Sequence, residues 1–132
     1  MIGLDTNILV RYIVRDEAGQ AAVATGLIES RCTEDSPGFV SQLVLAELFW
    51  VLARGYGYTK PVLVQVLSKL LGAAELEIED GADAWMALRL YESDSADFAD
   101  YLIGRRAQSA GCETTFTFDK QAAKGGLYTL AR

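Results

Sequence analysis

The chain has 132 residues, 51% of them hydrophobic and 23% charged, with a net charge of −6 and no histidine. That length suits one domain with its own core and is short for two, and the apolar content excludes disorder as a global description. The acidic balance argues against nucleic-acid binding by bulk electrostatics, and the missing histidine removes Cys/His zinc sites, the Ser-His-Asp triad and the Cys-His dyad together.

Charges or glycines interrupt every apolar run, so no transmembrane helix is expected. Asp5 breaks the N-terminus early and no basic segment leads it, unlike a signal peptide. Cys32 and Cys112 share no metal-ligand spacing and read as free thiols in a reducing cytosol. A cytoplasmic protein follows, with residues 1–132 as a single domain free of repeats and linkers.

In chain order, Ile2 to Asp5 reads as a short buried strand, followed by helices from about Thr6 through Val14 and from about Glu17 to Ser30. Ser36-Pro37-Gly38 is a turn, Phe39-Val40 a short strand, and Ser41 an N-cap for a helix from Gln42 to Arg54. Gly55-Tyr56-Gly57 stops that helix, and Lys60-Pro61 opens the next, whose Leu63, Val66, Leu67, Leu70 and Leu71 recur with helical period. Glu75 to Glu79 alternates as a half-exposed strand. Helices from Ala82 to Tyr91 and Ala96 to Ala110 come next, then strands at Thr114 to Phe118 and Leu127 to Leu130. Strands alternating with helices imply crossover connections and a mainly parallel sheet covered on both faces.

Five acids stand in apolar surroundings: Asp5, Glu47, Asp97, Asp100 and Asp119. A buried carboxylate costs several kcal/mol unless it is paired or binds a metal, and few basic residues lie beside these positions in the sequence. A divalent cation held by oxygen ligands is the simplest resolution. Asp5 and Asp119 fall at the carboxyl ends of strands, where open α/β sheets bind ligands. Glu47 lies in the second turn of its helix, among Leu43, Val44, Leu48, Val51 and Leu52, which leave it little polar face. Asp97 and Asp100, three apart, share one face of a helix start, where the macrodipole also favours a carboxylate without any ligand role. Crowded carboxylates resist full ionisation; a divalent metal stabilises them and acidifies its bound water, which can attack a phosphodiester.

Leu4-Asp5-Thr6-Asn7, Leu45-Ala46-Glu47-Leu48, Asp97-Phe98-Ala99-Asp100-Tyr101-Leu102-Ile103 and Thr117-Phe118-Asp119-Lys120 follow in order along the chain. In those motifs and in length the chain resembles the PIN-domain ribonucleases, and within them the VapC-type toxins of toxin–antitoxin pairs. The resemblance implies a three-layer α/β/α sandwich with a mainly parallel central sheet. It also implies an endoribonuclease that holds one or two Mg²⁺ or Mn²⁺ ions on Asp5, Glu47, Asp100 and Asp119. Asp100 is preferred as the third acid because a Leu-Ile pair follows one residue on; Asp97 competes as an extra or outer acid. Asn7 and Thr117 fall where the family places small polar residues that orient carboxylates or the attacking water. The implied partners are an RNA substrate, a cognate antitoxin and a second copy of the chain, with no membrane.

Other residues carry plainer readings. Asp5 can cap the helix at Thr6, and Asp119 can start a turn. Arg105 and Arg106 read as exposed helix charge, with Lys120 and Lys124 as further candidates for gripping RNA phosphates. Glu75, Glu77, Glu79, Asp80 and Asp83 read as a solvated edge, and Phe49, Trp50, Tyr56 and Tyr58 as core or a surface for another chain. Two rival functions stand beside the nuclease: a non-catalytic PIN-like module that binds RNA or protein, and a phosphoryl-transfer domain. The second lacks both a further aspartate after Asp5 and an apolar late-strand lysine.

Overall fold

Strand β1, Ile2–Gly3, pairs in parallel with β2, Gly38–Val40, and β2 pairs in parallel with β3, Leu76–Ile78. These coordinates are a computed structural model that describes every residue, Met1–Arg132. Gly3 stands opposite Phe39, and Val40 opposite Ile78, in the strand order β1-β2-β3. Parallel neighbours need long crossovers, and helices supply them. Helices α1, Thr6–Val14, and α2, Ala18–Arg31, join β1 to β2; α3, Gln42–Trp50, and α4, Lys60–Leu71, join β2 to β3. Helices α5, Gly81–Ser93, and α6, Phe98–Ser109, precede a second parallel pair, β4, Thr115–Thr117, and β5, Tyr128–Leu130. The architecture is α/β, with every strand pair parallel. The chain divides into two compact units, Met1–Glu79 and Asp80–Arg132. No helix is long and apolar enough to cross a membrane.

In the first unit the helices follow their caps and apolar spacing. The Glu17 carboxylate accepts from the Gly19 and Gln20 N–H groups and opens α2, whose buried Ala21 and Ala24 let it lie close to α1. Ser41 Oγ accepts from Val44 N at 3.1 Å and opens α3, where Leu45, Leu48, Phe49 and the following Leu52 are buried. Leu63, Leu67 and Leu71 form the buried stripe of α4. The helix expected to reach Arg54 does so, but it changes character on the way: Val51–Gly55 continues α3 as a π turn, with Tyr56 N bonded to Val51 O. Tyr56, just after that turn, donates its hydroxyl to Asp16 Oδ2 at 2.9 Å and accepts from Arg11.

Gly38 opens β2 at a close approach. A Cβ there would sit 2.7 Å from Cys32 Sγ and 2.8 Å from Leu4 Cδ1. Both neighbours are buried, so neither can swing clear.

In the second unit one buried charge clasps α5 to α6, and it is a residue the sequence reading set aside. Asp83, expected on a solvated edge, is 7% exposed and is the buried charged residue of the chain. Its Oδ1 accepts from Arg105 Nη2 at 3.0 Å and Ser109 Oγ at 2.8 Å, and its Oδ2 from Arg106 Nη1 at 3.0 Å. Arg106 Nη2 also reaches Asp80 Oδ2 at 3.2 Å. Arg106 is exposed as expected and Arg105 is partly buried, and both are paired in this clasp. Pairing across helices, invisible in local sequence, brings them to Asp83. Burial pushes the Asp83 carboxyl up, but the Ser109 hydroxyl and the two guanidiniums outweigh it and hold it below the usual carboxylate range.

Two stability outcomes are expected. Gly38→Ala should lower unfolding stability by about 1–3 kcal/mol through overpacking, measured by denaturant titration. Asp83→Asn should cost about 2–3 kcal/mol near neutral pH, discounted from a fully buried pair because Arg106 is partly exposed. Because the folded pKa of Asp83 is depressed, its contribution is complete above the unfolded carboxyl pKa of about 4 and fades as pH falls through the lower folded value. The gap between wild type and Asp83→Asn should thus hold from neutral down to mild acid and narrow below that.

Candidate active site

The end of β1 sets the first acid. Leu4 N bonds Phe39 O at 2.9 Å, the last rung before the chain turns outward at Asp5. Asp5 is the N-cap of α1: its Oδ1 accepts from Thr6 N at 2.7 Å, and its carbonyl accepts from Ile8 N. The plain capping reading is therefore met, and the cap occupies one carboxylate oxygen.

Helix α3 brings Glu47 to the same place. Thr6 Oγ1 donates to Glu47 Oε1 at 2.9 Å, so a single threonine touches both acids. The start of α3 is held from β3, since Gln42 N donates to Glu79 Oε1 and Gln42 Nε2 to Glu79 O, each at 2.9 Å. Glu79 is therefore a tether for the helix that carries Glu47. Neither Thr6 nor Glu79 was singled out from sequence. Position next to Asp5 was the only available signal for Thr6. Asn7 lies one residue further along α1, exposed, and lines the groove shared with Arg11, Glu17 and Gln20. It bonds neither carboxylate.

Asp97 and Asp100 open α6 as a capping box, in which the Asp100 carboxylate accepts from Asp97 N at 3.3 Å. This reciprocal arrangement uses both acids at the helix start and does not choose between them as a ligand. Tyr128 of β5 donates its hydroxyl to the Asp100 carbonyl, and Gly104 allows that approach: a Cβ there would lie 3.0 Å from Leu127 Cβ and Tyr128 Cε2. Asp119 follows β4. Thr117 Oγ1 accepts from Asp119 N at 2.9 Å, and Asp119 Oδ1 accepts from Gln121 N and Ala122 N, starting the 3₁₀ turn at Ala122–Gly125. Thr117 thus positions Asp119 through its backbone. Burial, then the charges of Asp100 and Asp119, push the Tyr128 phenol up to about 12. Lys120 and Lys124 are exposed.

Contrary to what their apolar neighbours in sequence suggest, none of the five acids is fully buried. Asp5, Glu47 and Asp119 are exposed, while Asp97 and Asp100 are partly buried. The apolar neighbours of Glu47 do not cover it, because Leu43, one turn before it, is itself 72% exposed and Trp50, one turn after, is 36% exposed. These acids therefore need no cation to offset burial. What they offer is oxygen donors: one oxygen of Asp5 and one of Glu47 are held, leaving the second of each for a ligand. An all-oxygen donor set fits Mg²⁺ or Mn²⁺. Within neither unit do three acidic or cysteine side chains converge as a formed metal site.

Comparison with known proteins gives two results. The family model for the PIN domain matches residues 2–126. A VapC ribonuclease of Aquifex aeolicus (strain VF5) is 23% identical over 127 residues, spanning 96% of this chain and 93% of that protein.

Proposed function

We propose, from the premise that this chain belongs to the PIN domain family, that it is a metal-dependent endoribonuclease acting as the toxin of a toxin–antitoxin pair. The observation that carries this reading is the family match over residues 2–126, which takes in every one of the motif acids. The similarity to a VapC ribonuclease along nearly the whole of both chains supports the toxin assignment.

We assign Asp5, Glu47, Asp100 and Asp119 as the acids that hold Mg²⁺ or Mn²⁺, with Asp97 as an additional or outer acid. Bound there, the cation supplies Lewis acidity toward a phosphodiester and lowers the pKa of water. The chain's own residues do the rest. Asp5 keeps one oxygen on its helix cap and presents the other. Glu47 does the same through Thr6. Thr117 sets the backbone of Asp119, and the capping box fixes the first turn of α6. Of the four basic residues near Asp100 and Asp119 in sequence, Lys120 and Lys124 are the ones we assign to meet RNA phosphates, since Asp83 takes Arg105 and Arg106. A cognate antitoxin and a homodimer complete the reading.

The test is cleavage of total RNA by the purified chain, freed of any co-purifying partner, with and without Mg²⁺ or Mn²⁺. Discrete fragments that need the metal are expected. Asp5→Asn and Glu47→Gln should each reduce cutting by at least about 100-fold, the upper cost of losing a residue that merely supports a metal ligand. Each should also relieve growth inhibition in cells. A fully toxic Asp5→Asn variant would overturn the assignment, and intact RNA in every lane alongside demonstrated Mn²⁺ binding would favour a non-catalytic binding module.

A further inference from the structure

We infer that Thr6 is a positioning residue which sets Asp5 and Glu47 for metal before metal arrives; this rests on the nuclease reading above. Glu47 hangs from α3 on a flexible side chain at an exposed position, with Thr6 Oγ1 as its hydrogen-bond partner at 2.9 Å. The Asp5 carboxylate, in turn, has Thr6 N as its partner at 2.7 Å. Neither carboxylate has a second hydrogen bond. One residue thus orients both groups through different atoms, its backbone N–H toward one and its hydroxyl toward the other.

The chemistry suits that task. A threonine hydroxyl has a single proton to donate, and Glu47 accepts it on one oxygen, which fixes the direction of that side chain. Thr6 is the first residue of α1, so its backbone is set by the turn in which Asp5 O accepts from Ile8 N and Leu9 N. Branching at Cβ restricts the rotation of its hydroxyl. On the other side, Gln42 and Glu79 hold the start of α3, so the two helices meet at a set distance. Asp5 and Glu47 are then aimed without losing their second oxygens.

A purely structural tether between α1 and α3 predicts different behaviour, and three variants separate the two roles. Mn²⁺ binding is titrated by electron paramagnetic resonance on wild type, Thr6→Val and Thr6→Ser. Melting temperature is read without metal, and RNA cutting is measured in parallel. Thr6→Val keeps the shape and the backbone N–H to Asp5 but loses the hydroxyl. It should weaken Mn²⁺ binding about 10–100-fold, the range seen when outer partners of metal ligands are removed, with little change in metal-free melting temperature. Thr6→Ser, which keeps the hydroxyl, should restore binding toward wild type. Wild-type affinity in Thr6→Val would sink the inference, as would a loss that Thr6→Ser fails to restore or that a matching fall in melting temperature explains. If wild type binds Mn²⁺ and cuts RNA while Thr6→Val does both equally well, only the role of Thr6 falls. If wild type neither binds Mn²⁺ nor cuts RNA, the nuclease reading falls and takes this one with it.

Discussion

Parallel pairing of β1 with β2 is the constraint on which the rest of the first unit depends. Ile2 opposite Gly38 and Gly3 opposite Phe39 place the carboxyl ends of both strands side by side. The chain leaves each end into a capped helix, at Asp5 and at Ser41. Because the two exits are level, the first turn of α1 meets the second turn of α3, and Thr6 reaches Glu47 across 41 positions of sequence. A shift of one residue in that register would turn each side chain to the opposite face and separate the pair. Gly38 guards the register, since nothing larger fits between Cys32 and Leu4.

Capping is the role that several of the motif carboxylates fill in this protein. Asp5, Asp97 and Asp119 all satisfy backbone N–H groups where a helix or turn begins. Helix starts carry positive potential, so an acid there is stabilised without a cation. That is a cheaper arrangement than burying unpaired charge. The chain buries Asp83 instead, and surrounds it with two guanidiniums and a hydroxyl. Arg105 and Arg106 are committed to Asp83, whereas Lys120 and Lys124 after Asp119 are exposed.

Much of the fold was legible along the chain. Periodicity and caps located all six helices, and the alternation of strand with helix identified the α/β class. The ends were less legible: α3 gives way to a π turn at Val51–Gly55, and Tyr56 just after it bonds Asp16 and Arg11, which lie far away in sequence. Exposure was misjudged at Glu47, where apolar neighbours suggested burial although Leu43 lies open beside it. Asp83 was misjudged in the opposite sense, since an acid near other acids looks solvated until its partners on α6 are known.

Residue types and their order determine the family, the motif acids and the oxygen-only donor set, because these are properties of short segments and of composition. Tertiary structure alone decides which charges are buried, that Thr6 joins Asp5 to Glu47, and that Glu79 tethers α3. The physical reason is that hydrogen bonds and ion pairs depend on ångström-scale distances between elements. Such distances come from strand register and helix packing, and no local pattern of residues encodes them.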